Sequence, residues 1–138
     1  MARIMAFDYG NKRLGIAVTD PLQMIANGLT AIHPKDAVDF LKKYLLTEEI
    51  EIFVVGEPRQ MDGTASQSAQ HVKGFVTILK KNFPEIPIAM MDERFTSKMA
   101  SAVIAQSGLK KTARQDKALV DTISATIILQ SYMEKRSF

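Results

Sequence analysis

Two short apolar runs, Arg3 to Phe7 and Leu14 to Val18, flank Tyr9-Gly10-Asn11-Lys12-Arg13, whose Gly and Asn suit a chain reversal. They predict a β-hairpin. A third strand is expected over Leu29 to Ile32, after a loop marked by Pro21 and Gly28 and before Pro34. From Asp36 onward Ala37, Val38, Phe40, Leu41, Tyr44 and Leu45 recur at intervals of three and four, with Lys42 and Lys43 on the other side, which is the pattern of an amphipathic helix. Ile50 to Val55 is rich in β-branched residues, carries one charge at Glu51 and ends at Gly56, so it suits a strand covered on both faces.

The stretch from Glu57 to Thr64 contains Pro58 and Asp62-Gly63 and lacks periodicity, which marks a loop. Val72, Phe75, Val76 and Leu79 define a second helix, with Ser66 or Ser68 available to cap it and Pro84 beyond its end. Ile86 to Met91 predicts another strand near the sheet centre, tolerating Pro87 near its start and running into Asp92-Glu93-Arg94. A helix capped near Thr96 or Ser97 should bury Met99, Ala102 and Val103 and stop at Gly108. A last helix begins near Asp116 and carries an apolar stripe through Val120, Ile123, Ile127 and Ile128 to about Tyr132. A hairpin start followed by alternating helices and strands implies an α/β fold with a mixed sheet, antiparallel at first and parallel later, and helices on its faces.

The chain's 138 residues, 46% of them hydrophobic, suit one domain over 1–138 with a full core. A formal charge of +3 leans towards polyanions without the dense basic stripe of a DNA-coating protein. The absence of cysteine excludes disulfides and thiolate metal sites. The N-terminal apolar run meets Asp8 too soon for a secretion signal, and no run approaches the roughly 20 residues of a membrane span. A cytoplasmic protein is the default expectation.

Acidic residues stand where a core would not choose them. Asp8 falls in line with Ile4 and Ala6 by two-residue alternation, so its side chain should share their face; the plainer alternative is a turn residue bonding the Tyr9-Gly10-Asn11 backbone. Asp92 and Glu93 lie at the carboxyl end of a strand, where open α/β sheets place ligands, and alternation lets one of the two face the site. Their alternative roles are a cap and a salt-bridge partner of Arg94. Asp121 shares a helical margin with Ala118, Ser124, Ala125 and Ile128, so a positive group must meet it: Lys117 or Arg114 one turn earlier, or a metal ion.

Converging carboxylates repel one another unless a divalent cation neutralises them. Mg2+ or Mn2+ takes hard oxygen ligands and keeps some waters, so a few carboxylates plus substrate phosphates form its natural shell. Paired ions of this kind stabilise the attacking and leaving oxygens of phosphodiester hydrolysis. His33 precedes a proline and His71 sits in a helix, so a serine or imidazole mechanism lacks its base.

Four ordered motifs carry a resemblance over essentially the whole chain: Phe7 to Val18, Val54-Val55-Gly56-Glu57-Pro58 with Asp62-Gly63-Thr64, Asp92-Glu93-Arg94-Phe95-Thr96-Ser97, and Val120 to Ala125 with Ile128-Leu129-Gln130. Together they resemble the YqgF family of Holliday-junction-resolvase-like nucleases. The resemblance implies a ribonuclease H-like fold and processing of the 5′ end of the small-subunit ribosomal RNA precursor, with four-way DNA junctions as the alternative substrate. It carries Asp8, Glu93 or its neighbour Asp92, and Asp121 over as metal-binding catalytic acids. Position 57 departs from the family's usual leucine, and Glu57 reads as a solvated loop residue rather than a fourth ligand.

Lys12, Arg13, Arg59 and Arg94, with the connector Lys110, Lys111 and Arg114, are the expected contacts to phosphates, since counter-charge beside a metal site is useful chiefly when a phosphate comes between. The expected partner is nucleic acid, not a membrane, and the expected state is a monomer or weak homodimer. Two rivals remain. An actin-like ATPase shares a similar start, but it closes two lobes where this chain provides one. A non-catalytic binding module regulating transcription or ribosome assembly would keep the fold without needing its acids.

Overall fold

A tight reversal at Gly10, whose amide donates to the Arg13 carbonyl at 2.8 Å, joins β1 (Arg3–Tyr9) to β2 (Leu14–Thr19). The computed structural model describes residues 2–10, 13–57, 69–92 and 117–136. The hairpin is antiparallel, pairing Phe7 with Ile16 and Asp8 with Gly15, so Asp8 lies inside β1 rather than just after it. β3 (Ala26–Ile32) adds antiparallel to β2. It begins earlier than the expected Leu29 and takes in Gly28, because pairing with Ala17, Val18 and Thr19 outweighs the turn preference of a lone glycine.

A single 3-10 turn at Pro34–Asp36 leads into α1 (Ala37–Tyr44). β4 (Ile50–Glu57) then runs parallel to β1, α2 (Ala69–Asn82) crosses over, and β5 (Ile88–Asp92) lies parallel to β4. α3 (Lys117–Arg136) closes the described chain. The sheet order is β3-β2-β1-β4-β5. β5 is therefore an outer strand and not beside the centre as expected: β2 already occupies the other side of β1, so each parallel crossover must build outward.

The two faces of the sheet differ in bulk, and that difference decides where the helices sit. Met5, Phe7, Leu14, Ile16, Phe53 and Val55 project to one side and pack with Leu41 of α1 and Val72, Phe75 and Leu79 of α2. Phe7 sits at 5.4 Å ring separation from both Phe53 and Phe75 in edge-on contacts, the geometry that aromatic quadrupoles prefer. On the other side Ile4, Ala6, Ala17 and Val54 meet Ala125, Ile128 and Leu129 of α3.

That second face is built from small residues, which lets the α3 backbone approach closely. A Cβ at Gly15 would overlap the Asp121 carbonyl, and one at Gly28 would overlap the Thr122 methyl. Ile127 and Ile128 of the expected α3 stripe are buried, as are Ser124, Ala125 and Leu129, whereas Ile123 is only half-buried. The helix expected after Thr96 lies outside the described residues.

Candidate active site

β1, β4 and β5 are parallel and end along one edge of the sheet, with Phe7 level with Val55 and Val55 level with Met90. Asp8 is the next residue along β1, half-buried, and it shares its face with Ile4 and Ala6 of the α3-side core. Its register partner is Gly15. Asp121, from the far end of the chain, lies with its backbone directly on Gly15. The structure thus brings Asp8 and Asp121 to the same face and the same edge, one from the sheet and one from the helix that covers it.

Among the described residues, the positive group that meets Asp121 comes from the hairpin turn. Arg13 Nε donates to Asp121 Oδ2 at 2.6 Å, and the two side chains are 40% and 23% exposed. The hairpin turn holds Arg13 in place through its carbonyl, which accepts from the Gly10 amide. Sequence reasoning listed Arg13 as a phosphate contact and missed this pairing, because nothing local links positions 13 and 121.

Sequence reasoning also missed Ser124. Thr122 and Thr126 lie over Gly28 of β3, so the flank of α3 on the other side of Asp121 faces β1. At about 100° per residue, Ser124 falls on that β1-side flank one turn beyond Asp121. It is 1% exposed and its hydroxyl has no hydrogen-bond partner among the described residues. A serine among hydrophobic residues of a helix was the available signal.

Glu57 ends β4 on the opposite side of the sheet. It lines a cavity of about 420 Å3 with Val72, Val76, Lys73 and Lys80 of α2 and with Met90, so the structure does not bring it to Asp8. Asp92 ends β5 in register with Glu57. Glu93, Lys12, Arg59, Arg94, Lys110, Lys111 and Arg114 lie outside the described residues. Among the described residues, no group of three metal-ligating side chains forms on its own. The donor set present nevertheless fits a hard divalent cation: two carboxylates on one face, with a buried, unpartnered hydroxyl on the adjoining turn of helix. His33 is engaged in structure, its Nδ1 accepting from the Lys35 amide at 3.2 Å.

A mixed five-stranded sheet in this order, with carboxylates at the carboxyl end of its central strand and on the covering helix, defines a ribonuclease H-like α/β protein. The fold matches Thermus thermophilus RuvC in complex with a Holliday junction substrate, with a TM-score of 0.56 at 18% identity, covering 99% of this chain and 96% of that one. A second T. thermophilus RuvC structure matches with a TM-score of 0.54 at 15% identity, covering 98% of this chain and 96% of that one.

The chain belongs to the RuvX family, described as Holliday junction resolvase, whose model matches residues 2–135. Among its relatives is a protein of Flavobacterium psychrophilum, 53% identical over 99% of both chains, and one of Bacteroides thetaiotaomicron, 51% identical over 100% of both; each is named "Putative pre-16S rRNA nuclease". Family membership makes this protein a nuclease, a hydrolase of phosphodiester bonds. Among the described residues, no helix is long and apolar enough to cross a membrane.

Proposed function

We propose that the protein is a divalent-metal-dependent nuclease that trims the 5′ end of the 16S ribosomal RNA precursor, with Asp8, Asp121 and Glu93 as its acids. The observation that carries this reading is the seating of Asp121 on Gly15, the strand partner of Asp8, which brings acids from the two ends of the chain to one face and edge of the sheet. Arg13 meets one oxygen of Asp121, and a cation shared with Asp8 would offset the remaining repulsion and desolvation. Glu93 is preferred to Asp92 because it stands two residues beyond Met91, which packs in the α3-side core.

When bound, Mg2+ or Mn2+ supplies charge stabilisation to the attacking and leaving oxygens of the phosphodiester. The protein's own groups do the rest. Asp8 and Asp121 hold the hard-oxygen donors in place on a rigid strand and helix, and Arg13 offers its guanidinium to the phosphate. Lys12, Arg59, Arg94, Lys110, Lys111 and Arg114 extend the contact along the backbone. The names of the relatives support the ribosomal RNA precursor as substrate. The family description and the RuvC likeness support a four-way DNA junction as the second reading. On either reading we propose a cytoplasmic protein that acts as a monomer or weak homodimer.

The test is cleavage of precursor RNA, unstructured RNA and a four-way junction, with and without Mg2+ or Mn2+, by the parent and by Asp8→Asn. Asparagine keeps the shape and the accepting oxygen but lacks the charge that holds a cation. Cleavage should fall by orders of magnitude while binding persists. Parental rates in a well-folded Asp8→Asn protein would refute the mechanism.

A further inference from the structure

The contact between Arg13 and Asp121 uses only part of each group. Arg13 donates through Nε to Asp121 Oδ2 at 2.6 Å. Among the described residues, its terminal nitrogens carry no other bond and Asp121 Oδ1 accepts none. Nε is the inner donor of the guanidinium, so a carboxylate held there leaves the outer fork free, and that fork is the part whose spacing matches two phosphate oxygens. The side chain is 40% exposed, so the fork is open to a polyanion, while Asp121 at 23% is the more enclosed partner.

A surface ion pair of this kind adds little to stability. Its value lies in where it aims the arginine. The hairpin carbonyl bond fixes the backbone of Arg13, and Gly15 fixes the backbone of Asp121 against β2, so both ends of the pair are tied to the same edge as Asp8.

We infer that Asp121 has a second role as the positioning residue for a phosphate clamp: Oδ2 orients the Arg13 guanidinium towards a substrate phosphate while Oδ1 remains free for a cation. This rests on the nucleic-acid reading above, but not on the metal. It makes a prediction with an unusual sign. Removing an acid that faces a polyanion should ordinarily strengthen binding. Here Asp121→Ala releases Arg13 into many rotamers, so binding weakens although a repulsive charge has gone.

The test is affinity for a labelled RNA spanning the 5′ boundary of the 16S precursor and for a four-way DNA junction, in EDTA, across a salt series. Arg13→Gln should weaken binding roughly tenfold or more and reduce the salt slope by about one unit. Asp121→Ala should weaken it by roughly two- to tenfold, the entropy of one long side chain. In an Arg13→Gln background, Asp121→Ala should instead bind as well or more tightly. Arg13→Lys keeps the charge and hence the salt slope, but with a single ammonium it loses the dependence on Asp121. Circular dichroism and melting confirm that each variant is folded, and Asp121→Asn, which retains an accepting oxygen, should restore most of the affinity lost in Asp121→Ala.

Parental or tighter binding by Asp121→Ala, or effects of the two positions that simply add, overturns the clamp and leaves the nuclease reading standing. A parent that binds neither probe at any salt overturns the nucleic-acid reading and the clamp together. Loss of cleavage with Mg2+ but an intact sign pattern in EDTA places the fault in the metal site alone and upholds the clamp.

Discussion

Gly15→Ala is the substitution that most directly tests how this fold makes its site. Gly15 pairs with Asp8 across the hairpin, and the atoms nearest an added Cβ all belong to Asp121: its carbonyl oxygen, its carbonyl carbon and, at 3.1 Å, its Cβ. The first two are helix backbone and cannot swing aside as the end of a side chain would. Relief requires α3 to lift from β2 by on the order of 1 Å. Such a lift costs overpacking strain and opens the contacts of Ala125, Ile128 and Leu129 with Ala6, Ala17 and Val54, about 3 kcal/mol together. For a chain of this size the midpoint of thermal unfolding should fall by roughly 10 °C. Cleavage should fall further than stability alone explains, because a displacement near 1 Å between positioned groups costs about 100-fold in rate. Thermal and urea melts, paired with cleavage assays well below the melting range, separate the two losses. A Gly15→Ala protein with parental stability and parental rates would show that α3 does not rest on this glycine and that the Asp8–Asp121 geometry is not set by it.

Gly74 provides the opposite case, since an added Cβ meets nothing within 4 Å in the middle of α2; Gly74→Ala should stabilise by about 0.5–1 kcal/mol, read as a higher urea midpoint with unchanged cleavage. Phe53 is fully buried at 5.4 Å from Phe7 and 5.9 Å from Phe83, so Phe53→Ala should cost about 3–5 kcal/mol by urea titration. Asp20 accepts amide hydrogen bonds from Ile25, Met24 and Leu22 at 2.7, 2.8 and 3.2 Å, and the Ile25 bond above all holds its carboxyl below the ordinary 3.8. A depressed folded-state value means that its stabilisation is present above about pH 4 and is lost as pH falls through the folded value. The melting difference between the parent and Asp20→Asn should therefore be constant from pH 7 to about 5 and shrink below 4; a difference unchanged down to pH 2 would contradict the assignment.

Local pattern was enough for much of this protein. Alternation in Ile4, Ala6 and Asp8 put the acid on one face of its strand, and the three-four spacing of Val72, Phe75, Val76 and Leu79 announced α2, because both signals repeat within a few residues. The order of the motifs was also enough to reveal the family. Tertiary structure decided what depends on residues distant in sequence. Pairing with β2 overrode the turn preference of Gly28, and outward growth of the sheet moved β5 from the centre to the edge. The choice of Arg13 as the partner of Asp121 spans 108 positions, and no periodicity reaches that far. Gly15 stood in the sequence as a weak point in a strand; only the helix lying on it shows why a side chain has no room there, and how Asp121 comes to the same edge as Asp8.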